Sequence, residues 1–173
     1  MEASASAVIA HADADAVYCC FRDFFGWNGW AGTDVQFLRV SGAPTEIGAR
    51  RNVVFGPGKN LHEDLVALDD VNRVMSYCGV NYDKLPEQPL SASPFKDAFV
   101  DYVSTVRVSP ITVLEEGKSA AFVEWSGRVW TNAPQARAGG VYHVSPAVGL
   151  TAELTDFYAG NLKKIAARFA NSS

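Results

Sequence analysis

Two segments alternate apolar and polar residues almost perfectly. DYVSTVRVSPI places Tyr102, Val106 and Val108 on one side, continued backwards by Val100, with Asp101, Arg107 and Ser109 on the other. AAFVEWSGRVW sets Ala121, Val123, Trp125 and Val129 against Glu124, Ser126 and Arg128. A period of two with one apolar face predicts strands of an antiparallel sheet, one face buried and one wet. Shorter runs of the same kind are SASAVIAH (4–11), an edge-like first strand, then VQFLRVSG, ARRNVVF, LHEDLVALDD and RVMSYCGV, separated by GAPTEIG, GPGK and the turn Asp69-Asp70-Val71-Asn72. The period changes twice. After Asp13 or Asp15, either one a helix N-cap, Val17, Phe21, Phe24 and Phe25 form a helical stripe that GWNGWAG ends. In TAELTDFYAGNLKKIAARFA, Leu154, Phe157, Tyr158, Leu162, Ile165 and Phe169 recur at three- and four-residue steps, with Lys163, Lys164 and Arg168 late in the helix where its dipole favours them.

The expected order is therefore a strand, one or two short helices, about six strands and a long C-terminal helix. This is an α+β architecture, a curved antiparallel sheet of about seven strands wrapped around the last helix, in one domain over 1–173. Such a sheet leaves room for a ligand at one end of the helix. The segments 81–98 and 132–149, rich in proline and, in the second, glycine, read as long loops of the kind that form lids or binding loops.

One position breaks the apolar pattern. Glu63 shares parity with Leu61, Leu65 and Ala67, so a carboxylate falls on an inward face. A buried carboxylate without a partner costs several kcal/mol and tends to be paired, protonated or working. On the preceding strand Arg51 shares parity with Val53 and Phe55, and cross-strand pairing can bring the two together. A structural salt bridge and a functional pair are both consistent with this pattern, and a bulge would turn Arg50 inward instead. Tyr102 and Trp125 serve equally as core or as ligand contacts. Asn161, polar on the apolar stripe of the last helix, is either a pocket contact or an exposed break in register.

Composition narrows the function. With 173 residues, 48% hydrophobic and 20% charged, the chain can bury a core and still enclose a pocket. The formal charge is −4 and the basic residues are scattered, the only doublets being Arg50-Arg51 and Lys163-Lys164, which argues against a nucleic-acid surface. No apolar run approaches the roughly 20 residues of a membrane span. MEASASAVIAHADADA has no basic n-region and carries early aspartates, unlike a targeting peptide. Three cysteines, Cys19, Cys20 and Cys78, suggest free, buried thiols in a reducing, cytoplasmic setting. His11, His62 and His143 lack ligand spacing, so neither a metal nor another cofactor is expected. Nothing singles out a protein partner.

The order of elements resembles the helix-grip superfamily that includes START domains, polyketide cyclases and birch-pollen-allergen-like proteins. VSGAPTEIGARR (40–51) is similar to its glycine turn followed by arginine, and EDLVALDDVNRVMSY (63–77) to the acidic-turn hairpin of plant members. DYVSTVRVSPI and VEWSGRV resemble the next two strands of the same members, nearest to those like lachrymatory factor synthase. The resemblance implies a cofactor-independent isomerase or cyclase in which Arg51 and Glu63 carry the chemistry. Its substrate would be a small hydrophobic or sulfur-containing molecule, a sulfenic acid converted to a thial S-oxide. Arg51 would hold the substrate oxygen and Glu63 would relay the proton. Tyr102, Trp125, Leu65, Phe55, Leu154, Phe157 and Asn161 would surround the substrate. A second class remains open, a non-catalytic carrier or receptor for a hydrophobic carboxylate. Glu63 separates the two, since it would repel a ligand acid whereas proton transfer needs it.

Overall fold

The computed structural model describes residues 2–31, 35–56, 59–79, 101–112, 118–130 and 146–171. Seven strands and two α-helices follow the expected order: β1 (Glu2–Ala10), α1 (Ala14–Arg22), a 3-10 turn (Gly26–Gly29), β2 (Gln36–Ser41), β3 (Arg50–Gly56), β4 (Lys59–Asp69), β5 (Val74–Gly79), β6 (Asp101–Ile111), β7 (Ala120–Trp130) and α2 (Pro146–Ala170). The strands form one antiparallel sheet in the order β1-β7-β6-β5-β4-β3-β2, with β1 and β2 at its edges.

The inward face of β1 carries Ala3, Ala5, Ala7 and Ile9, mostly methyl groups, and α2 packs across it and against β7. Small side chains on the strand let the helix approach closely, and larger ones on α2 (Tyr158, Leu162, Ile165) fill the space above them. The strand stops at Ala10, one residue earlier than its apolar pattern suggests, because His11 turns into the left-handed region at φ 60°. Asp13 is the N-cap of α1, its carboxylate accepting from the Ala16 amide at 2.8 Å.

Beneath α1 the space is filled by aromatic rings: Phe21, Phe24, Trp27, Trp30 and Trp125 meet mostly edge to face at centroid separations of 5.2–6.5 Å. Each indole N–H has a partner there. Trp27 donates to the Phe21 carbonyl at 3.0 Å, Trp30 to that of Cys20 at 2.9 Å, and Trp125 to the Tyr77 hydroxyl at 3.1 Å.

Three expectations are corrected, and one turn is found to do more than expected. Ala67 is exposed, because a bulge after Leu65 shifts the β4–β5 register and turns the later positions over. α2 begins at Pro146, so the end of the segment 132–149 is helix; a proline is well suited to a helix's first position. None of the cysteines is buried: Cys19 is exposed and Cys20 and Cys78 are half-buried, all as free thiols. The turn residues Asp70 and Arg73 do more than shape the β4–β5 turn, since they bind Arg22 (2.7 Å) and Asp15 (2.5 Å) and strap the hairpin to α1. Residues 81–98, 132–145 and Val100 lie outside the described residues.

Candidate active site

Strand parity brings the two charged residues together. In β3, Arg51 and Val53 are buried and Phe55 is half-buried, while Arg50 faces outward and forms a two-point ion pair with Asp64 at 2.7 and 2.8 Å. Arg51 lies directly opposite Glu63 across the β3–β4 ladder, and Glu63 opposite Gly79 across β4–β5. Arg50 is thereby excluded as the inward residue.

Glu63 is anchored through both oxygens. Its Oε2 accepts from Arg51 Nε at 2.6 Å and lies 2.6 Å from Arg51 Nη2, an ion contact without hydrogen-bond alignment. Its Oε1 accepts from the Tyr102 hydroxyl. Gly79 makes that contact possible, since a methyl group there would overlap the edge of the Tyr102 ring. Burial first, and then the Glu63 charge beside it, hold the Tyr102 phenol well above the usual tyrosine range, so it remains a proton donor.

Arg51 has no exposed surface. Its Nη1 donates to the Phe24 carbonyl at 2.7 Å, and its guanidinium carbon lies 3.8, 4.1, 4.6 and 5.2 Å from the ring centroids of Trp27, Phe24, Phe37 and Tyr77. Aromatic faces carry negative potential, so a desolvated cation enclosed by four of them is partly compensated beyond its carboxylate partner, each good contact being worth up to about 2 kcal/mol. Of these rings only Tyr77 also borders the space in front of Glu63.

That space is a cavity of about 190 Å³, lined among the described residues by Val53, Phe55, Leu61, Glu63, Tyr77, Tyr102, Glu153, Leu154, Phe157 and Tyr158. Cavities of about 150 Å³ accept benzene, so this volume suits a small organic molecule. Its walls are mainly apolar, and Glu63 is 6% exposed. Behind the tyrosines runs a second polar string. The Tyr77 hydroxyl accepts from the Trp125 indole N–H, and Ser104 and Tyr158 share a 2.6 Å hydrogen bond. Gly127 admits the Tyr158 hydroxyl, which a methyl group there would overlap, and the Tyr158 ring stacks on Trp125 at 4.7 Å. Burial raises the phenols of Tyr77 and Tyr158 above their ordinary range.

Of the residues singled out in the sequence, Phe55, Glu63, Tyr102, Leu154 and Phe157 line the cavity. Arg51 is joined to Glu63 but does not line it; its guanidinium lies instead among the rings of Phe24, Trp27, Phe37 and Tyr77. Leu65 and Trp125 are core: Leu65 is fully buried, and Trp125 is covered by Phe21, Trp27 and Tyr158. Asn161 is buried rather than an exposed break; its amide donates to the Phe157 carbonyl at 2.9 Å, and it is not in the lining. Sequence reasoning missed Tyr77 and Tyr158 as cavity residues. Tyr77 shares inward parity with Met75, and Tyr158 was already on the α2 stripe, so both carried a signal of facing in.

Comparison with known proteins bears on the family and the fold. The sequence profile described as polyketide cyclase / dehydrase and lipid transport matches residues 1–170. The chain belongs to that family. Its description covers both cyclase chemistry and lipid carriage, and so supports a fold of the ligand-binding, cyclase type. No curated protein sequence matches the chain. Among solved structures, a protein from Nitrosospira multiformis aligns at TM-score 0.69 with 22% identity, over 98% of this chain and 96% of its own. The norcoclaurine synthase of Thalictrum flavum, solved in complex with dopamine and hydroxybenzaldehyde, aligns at 0.62 with 14% identity, over 100% of this chain and 89% of its own. A major latex-like protein of Panax ginseng aligns at 0.64 with 11% identity, covering 98% of each chain. At these identities the likeness is one of fold, and it agrees with the helix-grip expectation. Among the described residues no helix is long and apolar enough to cross a membrane.

Proposed function

We propose that the chain is a cofactor-independent isomerase or cyclase that moves a proton within a small hydrophobic molecule, with Glu63 giving and taking that proton. The observation that carries this reading is a carboxylate at the wall of an apolar cavity, fixed at one oxygen by Arg51 and at the other by Tyr102. A positioned carboxylate in a water-poor site contributes about 10²–10⁴-fold to such steps. Arg51, caged behind it, acts as a positioning residue: it fixes the rotamer of Glu63 and supplies the opposing charge. Tyr102 is the hydroxyl that can donate to a substrate oxygen when Glu63 turns toward the ligand.

The finer reading follows the resemblance to lachrymatory factor synthase-like proteins: rearrangement of an alkenyl sulfenic acid to a thial S-oxide. The sulfenic O–H proton leaves, the alkene carbon remote from sulfur gains a proton, and the carbon–sulfur double bond forms as the carbon–carbon one is lost. No atom or electron is exchanged with a second reactant, in keeping with a site that works without a cofactor. Phe55, Leu154 and Phe157 would keep water from the labile species.

The test is a coupled assay in which a C–S lyase generates 1-propenesulfenic acid in the presence of the protein and propanethial S-oxide is detected by mass spectrometry. Product above the lyase-only control supports the synthase reading. Its absence with folded protein rejects that reading and favours a carrier of a small hydrophobic ligand, which the family's lipid-transport description also accommodates.

A further inference from the structure

Every charged group that the described structure places at the cavity is an acid. Glu63 lies at the buried wall, and Glu153, exposed on the second turn of α2, lines the same cavity. The cation nearest to Glu63, Arg51, is already engaged. Its Nε and Nη2 lie on Glu63, its Nη1 on the Phe24 carbonyl, and rings of Trp27 and Phe24 cover its faces. Among the described residues, an incoming anion would therefore meet two carboxylates and no cation able to reach it without dismantling a fully buried pair. We infer that the cavity selects its ligand by charge, admitting small neutral or ammonium-bearing molecules and rejecting carboxylates and phosphates, with Glu153 as the residue that sets this preference.

The physics favours discrimination at both ends. Glu63 faces apolar walls, where a second negative charge would be brought up against the first with little water to screen it. Glu153 meets the ligand earlier, in partial contact with solvent, and its effect is of the size of a rim ion pair: modest in affinity and decisive in sign. The inference rests on the Glu63 cavity being the ligand site. It extends that reading by removing hydrophobic acids from the ligand classes and retaining uncharged species, a sulfenic acid among them.

The experiment measures binding of three probes of matched size, 2-phenylethanol, 2-phenylethylamine and phenylacetate, by calorimetry at neutral pH and low ionic strength. The proteins are the wild type, Glu153→Gln and Glu153→Lys, each checked for fold by circular dichroism. Wild-type protein is expected to bind the amine at least as tightly as the alcohol, and phenylacetate at least about tenfold more weakly than the alcohol. Glu153→Gln should narrow the gap between amine and carboxylate, and Glu153→Lys should narrow it further, with added salt reducing the contrast in the wild type. Phenylacetate binding as tightly as the alcohol, or a gap unmoved by Glu153→Lys, overturns the charge selection while leaving the Glu63 cavity as a ligand site. Failure of all three probes to bind folded wild-type protein overturns the cavity as a ligand site and the selection with it.

Discussion

At Arg51 and Glu63 two charges are removed from water almost completely, and their mutual attraction repays desolvation only because each has further partners. Arg51 has the Phe24 carbonyl and a ring cage; Glu63 has the Tyr102 hydroxyl. Removing one partner leaves an uncompensated buried charge, whereas removing both leaves none. Arg51→Met is therefore expected to cost about 3–5 kcal/mol in urea unfolding, and Arg51→Met with Glu63→Gln less than the sum of the two single changes. Additive costs would mean that the pair is not coupled as its geometry indicates. Arg51→Lys is a poor replacement, because an ammonium cannot match the two-nitrogen approach to Oε2 or lie flat between rings.

At the scale of elements, the site depends on where strands leave gaps. Gly79 sits in β5 beside the Tyr102 ring, and Gly127 in β7 beneath the Tyr158 hydroxyl; neither position admits a side chain without displacing its tyrosine. Gly79→Ala is expected to destabilise the fold by about 1–3 kcal/mol and to weaken the Tyr102–Glu63 hydrogen bond, read as a rate loss comparable to that of Tyr102→Phe. A stable, fully active Gly79→Ala protein would show that the ring has room to move. The strap between α1 and the β4–β5 turn is of a different kind. Arg22 and Asp70 are 39% and 50% exposed, so Asp70→Asn should cost no more than about 1 kcal/mol in the same unfolding measurement. The hydrogen bond from Arg22 holds the Asp70 carboxyl below its ordinary range, so that small contribution is present above about pH 4 and fades as pH falls further.

For the molecule as a whole, the same burial that forms the cavity sets a pH limit. Tyr18, Tyr77, Tyr102 and Tyr158 all have phenols raised above the usual value, each chiefly by burial. A phenol that keeps its proton in the folded chain after the unfolded chain has lost it stabilises the fold fully below about pH 10 and progressively less above it. The melting temperature should thus fall progressively as pH rises above about 10, with tyrosinate absorbance from these residues appearing together with unfolding rather than before it. Tyrosinate from all six tyrosines at native temperature without loss of structure would contradict the burial described.

Much of this architecture was legible in the sequence because a half-buried antiparallel strand repeats every two residues, and a one-residue slip would expose its whole inner face. That constraint put Arg51 opposite Glu63 and Tyr102 on the same interior. It did not give depth. Parity says that Arg51 points inward, but its place behind Glu63 depends on how Phe24, Trp27 and Phe37 fill the layer beneath α1, and no periodicity encodes that packing. The bulge after Leu65 was equally silent, since Val66 and Ala67 are as apolar as the residues of the pattern they interrupt.

The central claim is that Glu63 transfers a proton at the cavity wall, and its most direct measurement is the rate of thial S-oxide formation by Glu63→Gln beside the wild type. Circular dichroism and urea unfolding would establish that both are folded at the assay temperature. The amide keeps an acceptor for Arg51 and the size of the side chain while removing the proton carrier. A rate lowered by about 10²–10⁴-fold is the expected result. A folded Glu63→Gln protein within about threefold of an active wild type would contradict it.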